Sequence, residues 1–346
     1  MTYPIPLLEP VVLNEIVADI RPPENLVLSN ALPRIPITTS YYRWDILRNS
    51  RTIASVNVPN AEATLVDRMG RAQGAASLVY TREKKTFEPT TTMWLREVGT
   101  ISNIQNAEQA VMREIQDLNL RVDNLVEWCC WQALQGSLSF PNSESVVVDP
   151  INYQIPASNF VHPSTSWATA TPSQIVSDIE AWMRIVQRNA RIPLTDAWLT
   201  SKTLQRIFNA FAVNAGAGGY LLTDTMRTAY FNSGMQTLPG FMGLTWHVVE
   251  GQYDANYDNA AIEGDFSLFL PDDKVIFTNL SVGDPMKIVE GPTADFDNSQ
   301  GAIGKFMKTW TQEDPSARYA LLESRFLPVI TRPDQILIVP DVTATS

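Results

Sequence analysis

An apolar stripe in residues 102–136, SNIQNAEQAVMREIQDLNLRVDNLVEWCCWQALQG, constrains the fold more than any other feature of the chain. Ile104, Val111, Ile115, Leu118, Val122, Leu125 and Cys129 follow one another at steps of seven, four, three, four, three and four. That spacing puts them on one face of an α-helix, with Arg113, Gln116, Asn119 and Asp123 off it. Ser102 and Gln105 read as a capping box, and Gly136 supplies the stop. At ~1.5 Å per residue the helix reaches about 50 Å, far above the average of about 11–12 residues. A coiled coil is the alternative. The stripe ends in Trp128 and Trp131, however, which suits a long spine packed on a sheet.

A second helix is predicted from Thr171, where Thr-x-x-Gln with Pro172 makes another capping box. Ile175, Ile179, Trp182, Met183 and Val186 are its buried face. A short strand, AWLT (197–200), leads into a third helix carrying Leu204, Ile207, Phe208 and Phe211. From about 237 the pattern becomes β, in LTWHVVEGQY, DFSLFLPDD and KVIFTNL. The closing stretch, residues 308–339, reads KTWTQEDPSARYALLESRFLPVITRPDQILIV. Asp314-Pro315 is expected to turn the chain into a strand from Ala317 to about Thr331. Pro333-Asp334 then leads to a last strand, Ile336 to Val339, completing the sheet under the long helix. Helices and strands in this order give an α+β fold class.

The first 50 residues carry Pro4, Pro6, Pro10, Pro22, Pro23, Pro33 and Pro36. Proline donates nothing to a ladder and breaks helices, so an extended arm with short strand pieces is expected. It must lie on its own domain or on a neighbouring subunit. Residues 51–99 read as a two-stranded excursion, AEATLVDRM (61–69) against ASLVYTREKKTF (76–87), with GRAQG (70–74) as its tip. Between residues 43 and 85, Arg43, Arg48, Arg51, Arg68, Arg71, Arg82, Lys84 and Lys85 face only Asp45, Glu62, Asp67 and Glu83. The stretch is thus +4 (8 − 4), while the remainder is −15 (−11 − 4). Either it is a solvated hairpin, or it is a basic flap that docks on an acidic neighbour.

Of the 346 residues, 45% are hydrophobic and 18% charged, a globular composition long enough for two domains. The net charge of −11 argues against a dedicated nucleic-acid binder. Cys129 and Cys130, the only cysteines, are adjacent, so neither a disulfide framework nor a zinc cluster fits within one chain. A reducing compartment is the simpler reading. The N-terminus has no basic n-region and is broken by prolines, so no signal peptide is expected. No run approaches the ~18 apolar residues of a membrane span.

Reaction chemistry is scarce. His162 and His247 are the only histidines, and His247 in TWHVV reads as a packed or hydrogen-bonded strand residue. GAIGKF (301–306) has Phe306 where a phosphate loop needs Ser or Thr. In DANYDNAAIEGD (254–265), Asp254, Asn256, Asp258 and Asp265 sit at calcium-loop positions, but Asn259 replaces the required glycine, and a polar hairpin loop is expected. GAGG (216–219) follows a helix rather than preceding one. No catalytic, cofactor or metal site is assigned. An arm, a flap, a spine and a mixed domain suit a structural or assembly protein.

The closing stretch resembles that of the lambda-type major capsid proteins of tailed phages, which adopt the Hong Kong 97 phage capsid fold. Lys308-x-Trp310 precedes Asp314-Pro315, an alternating strand ends in Leu327-Pro328, and Pro333-Asp334 opens a hydrophobic final strand. Gly240-x-x-Gly243, GQY (251–253) and FLPDD (269–273) form a second patch of likeness. The order of segments agrees over essentially the whole chain.

That resemblance implies an N-terminal arm (1–50), an extended loop (51–99), a peripheral domain (100–192 plus 306–346) and an axial domain (193–305). It implies a non-enzymatic subunit assembling into hexamers and pentamers of an icosahedral shell around double-stranded DNA, without cofactors and without a membrane. A portal and a separate scaffolding protein are expected partners, and a decoration protein is left open. Assembly is expected in the host cytoplasm, with the virion capsid as the destination. The expected inter-subunit contacts in the extended loop are Arg68, Gly70, Arg71, Gly74, Arg82, Lys84 and Lys85. Some members link a loop lysine covalently to a neighbour's asparagine, but lambda-type relatives generally do not, and no such link is expected through Lys84 or Lys85. The alternatives are an encapsulin-like compartment and, from another class, a hydrolase using Asp254, Asp258 or Asp265.

Overall fold

A computed structural model describes residues 14, 17, 20, 23, 25–46, 53, 54, 56, 72–87, 107–140, 150–214, 217–254, 266–295 and 302–345. Along the chain run α1 (Val27–Ala31), β1 (Arg34–Pro36), β2 (Tyr41–Ile46), β3 (Ala72–Ser77), β4 (Val79–Phe87), α2 (Ala107–Leu134), β5 (Ser137–Leu138), β6 (Ile151–Asn152) and α3 (Pro172–Ala190). Then come β7 (Asp196–Leu199), α4 (Ser201–Asn214), α5 (Ala217–Asn232), β8 (Thr237–Phe241), β9 (Leu244–Val248), β10 (Gln252–Asp254) and β11 (Phe266–Leu268). The chain closes with β12 (Val275–Thr278), β13 (Met286–Glu290), β14 (Lys305–Gln312), β15 (Ala317–Ile330) and β16 (Leu337–Val339).

The long helix is α2, and its stripe packs as spaced from Ile115 to Cys129. Ile115, Leu118 and Val122 are buried against Met307, Ala320 and Leu322 of the sheet beneath and against Val17. Further along, Val126, Cys129, Cys130, Trp131, Ala133 and Leu134 enter the main core with Leu28, Ile288, Val289 and Phe326. Burial pushes both cysteine thiols far above their usual range, so they act as small apolar groups. Gly136, at φ +102°, takes the left-handed conformation that ends the helix. Ser102 and Gln105 lie outside the described residues. Asn119 and Asp123, off the stripe, are nevertheless buried, where Lys305 reaches them from β14.

Two five-stranded sheets organise the chain. The first runs β1-β13-β15-β14, with β4 also paired to β15. Strand β15 is its axis, since β14 meets it over 317–324, β4 over 318–326 and β13 over 326–330. Paired so extensively and covered by α2, it is buried almost throughout rather than at alternate positions. The second sheet runs β16-β12-β7-β9-β8. Its core gathers Trp182 and Ile179 of α3, Phe208 and Phe211 of α4, and Trp246, Phe277 and Val339. Thr171 N–H donates to Gln174 Oε1 at 2.8 Å, so the expected start of α3 forms.

Of the two supports left open for the arm, its described residues 25–36 rest on their own chain: Leu26 and Leu28 are buried, α1 packs on α2, and β1 pairs in parallel with β13. Three expectations change. Among the described residues, 79–87 pairs with the chain's own closing strand, while Ala76 and Ser77 belong to β3, which pairs with β2; the expected partner, 61–69, lies outside the described residues. Ala72 to Gly74 are therefore strand and not tip. The last strand joins the second sheet through β12 rather than completing the one under the long helix, and β13 joins the first. Finally, GAGG runs into a helix as well as following one, since α5 begins at Ala217.

Candidate assembly interface

Strand β4 alternates in exposure along VYTREKKTF, and its two faces do different work. On the face toward α2, Lys85 Nζ contacts Asp117 Oδ2 at 2.5 Å and Glu114 Oε2. Arg121 reaches Glu83 and Asp117 at 3.4 Å each. Burial works against the Lys85 charge, but hydrogen bonds to Asp117 and Glu114 outweigh it and hold the ammonium above its usual range.

The opposite face of the first sheet carries a ladder of cations and rings. Arg325 lies over the Tyr80 ring at 4.8 Å. Arg82 Nε contacts Glu323 Oε1 at 2.7 Å, and the same guanidinium reaches Asp295 at 3.5 Å. Lys308 contacts Asp295 at 2.5 Å. Lys84 sits 5.1 Å from the Tyr319 centroid, and Tyr319 stacks on Trp310 at 5.1 Å and 18°. Tyr80 and Trp310 remain 39% exposed each. Exposed Tyr, Trp and Arg at one place match the side chains that interfaces favour.

Of the residues expected at subunit contacts, Arg82 and Lys84 lie on this face, and Lys85 faces α2 instead. Gly74 faces Trp44, whose Cε2 lies 2.3 Å from where a Cβ would stand. Arg68, Gly70 and Arg71 lie outside the described residues. Arg82 and Lys85 are neutralised within the chain, so two of the four described cations of the 43–85 stretch are already matched. Sequence reading passed over Trp310, Tyr319 and Arg325. Their signal was the alternation of the closing stretch, which sets 308, 310, 319, 321, 323 and 325 on one side of paired strands.

His247 is held in a packed, hydrogen-bonded strand position. His247 Nε2 lies 2.9 Å from Asp196 Oδ1 and its ring stacks on Trp198 at 4.2 Å. Burial alone would raise the Asp196 carboxyl, yet hydrogen bonds with His247 and Thr195 bring it below its usual range. Asp254 is in β10, and β10 with β11 forms the expected hairpin flanks; Asn256, Asp258 and Asp265 lie outside the described residues. Among the described residues, no group of three His, Cys, Asp or Glu could hold a metal ion, and no helix is long and apolar enough to cross a membrane.

The profile of the phage major capsid protein E family matches residues 9–339. No curated protein matches the sequence significantly. Among solved structures, a prophage protein of Escherichia coli CFT073 described as a capsid protein is similar, with a TM-score of 0.57 at 17% identity over 78% of this chain and 79% of that one. A phage-related protein from Bordetella bronchiseptica RB50 gives 0.56 at 11% identity over 98% and 99%. The capsid of Ralstonia phage GP4 gives 0.51 at 11% identity over 89% and 86%. At these identities the likeness is one of fold.

Proposed function

The chain belongs to the phage major capsid protein E family, and we propose from that membership that it builds the icosahedral shell of a tailed phage as hexamers and pentamers around double-stranded DNA. The protein is structural and not an enzyme. The family match across nearly the whole chain carries the reading. The Tyr80–Arg82–Trp310 face is the described surface best suited to a neighbouring subunit, with a second contact through Arg68 and Arg71. We assign the chain the Hong Kong 97 arrangement of arm (1–50), extended loop (51–99), peripheral domain (100–192 plus 306–346) and axial domain (193–305). Residues 337–339 are better counted with the axial sheet and 286–290 with the peripheral one. A scaffolding protein and a portal complete the partners, assembly takes place in the host cytoplasm, and the DNA is enclosed without being read.

Physically, a repeated heterologous contact around an axis closes rings. Cationic contacts at its rim supply steering and register more than affinity. Electron microscopy of the purified chain, alone and co-expressed with its scaffold, tests the reading. Closed shells with five- and sixfold rings are expected, and discrete small oligomers without rings overturn it.

A further inference from the structure

Beneath α2, one lysine, one asparagine and one aspartate meet in a buried site that the shell reading does not use. Lys305 opens β14 directly after Gly304, which takes a φ of +88°. Its Nζ lies 2.6 Å from Asn119 Oδ1 and 2.7 Å from Asp123 Oδ1. Asn119 and Asp123 are one helical turn apart on α2, and each is at most 1% exposed. Asn119 Nδ2 and Asp123 Oδ2 make no hydrogen bond among the described residues. A plain buried ion pair is expected to satisfy its polar atoms. Here the amide nitrogen and one carboxylate oxygen are left over, beside an amine.

We propose that Lys305 and Asn119 form an intramolecular isopeptide bond, with Asp123 as the proton carrier. Asp123 takes one proton from Nζ, and the free amine attacks Asn119 Cγ. The new Nζ–Cγ bond forms as the Cγ–Nδ2 bond breaks. Two of the three Nζ protons travel by way of Asp123 to Nδ2, which departs as ammonium. The third stays on the new amide, and Asp123 ends as the carboxylate it began as. No electrons are gained or lost, and no co-reactant is needed. Three physical conditions favour the step. Contact distances hold the amine against the amide, which replaces a rare encounter by a permanent one. Burial opposes the ammonium form of Lys305 more than Asp123 supports it, easing release of the nucleophile. Exclusion of water also protects the amide from competing hydrolysis. Arg34 and Glu290, paired at 2.7 Å nearby, act on Lys305 in opposite senses, and Arg34, which disfavours the ammonium, has the larger effect.

The bond would tie the sheet to the long helix within one chain. It is separate from any link between subunits and from the extended loop. Intact-mass measurement of the folded wild-type chain under denaturing conditions tests it. The mass is expected to fall short of the sequence mass by one ammonia. Trypsin is then expected to release a branched peptide joining residues 114–121 to 288–308, because acylated Lys305 is no longer cut. Lys305→Met, Asn119→Ala and Asp123→Asn are each expected to show their full sequence mass. A folded wild-type chain at full mass, or an ammonia loss that maps elsewhere, overturns the proposal. The wild-type peptide map decides the question even where a variant fails to fold.

Discussion

Glu127 holds the N-terminal segment to the long helix, and its removal is the sharpest test of that contact. The residue is fully buried on α2. Its Oε1 accepts from Leu28 N–H at 3.0 Å and from Trp131 Nε1–H at 2.9 Å, and its Oε2 accepts from Ser29 N–H at 2.7 Å. Leu26, at the N-cap of α1, makes no side-chain capping bond, so a carboxylate about a hundred residues away caps the helix instead. Glu127→Ala leaves three buried donors unpaired at about 1–3 kcal/mol each. Relief of the buried charge and entry of water into the space offset part of that, leaving a net loss of about 4 kcal/mol. Glu127→Gln keeps the shape but turns an amide N–H₂ toward one of the donors, for about 1–3 kcal/mol. Urea unfolding of the unassembled subunit measures the loss, and hydrogen exchange reads the Leu28 and Ser29 amides directly. Unchanged urea midpoints, with both amides as protected in the Gln variant as in wild type, would refute the capping argument.

Arg82→Glu sets a third carboxylate beside Asp295 and the fully buried Glu323. Because Arg82 is half exposed, the loss should fall at the low end of the about 3–5 kcal/mol typical of a broken buried pair, seen as a lower urea midpoint. Arg68→Glu with Arg71→Glu should instead leave that midpoint unchanged and reduce shell yield at low salt, as electron microscopy can count. Gly74→Val drives a side chain into the Trp44 ring, and should cost about 1–3 kcal/mol with a shift in tryptophan fluorescence. The lowered Asp196 carboxyl contributes stability that is present above the ordinary carboxylate range and is lost as pH falls through its folded value. His247→Gln should therefore flatten the acid limb of stability against pH, and an equally steep limb in both proteins would remove His247 as the cause.

The stripe from Ile115 to Cys129, the Thr171–Gln174 cap and the Phe208–Phe211 face were legible because each depends on neighbours three or four residues away. The closing strand was legible for a similar reason, its start and end lying next to Pro315 and Pro333. The candidate contact face was only half legible. Arg82 and Lys84 stood out as charges, but nothing local shows that Tyr319 meets Trp310 or that Glu323 takes Arg82. The same blindness left Asn119 and Asp123 merely off the apolar stripe, with no partner assigned. A helical wheel ranks side chains by polarity, and cannot know that a lysine 182 residues further on reaches Asp123 from a strand below.

Local periodicity and proline placement by themselves determined the long helix, the helices α3 and α4, and the turn into the last long strand, but not α1 or α5. Tertiary structure alone decided where the edges go. A strand carries donors and acceptors on both sides without naming its partner. So it took the assembled fold to seat 79–87 on 318–326, to send 337–339 to the second sheet, and to bring Lys305 to Asn119. Backbone hydrogen bonding is sequence-blind at long range; burial of the matching faces supplied the choice.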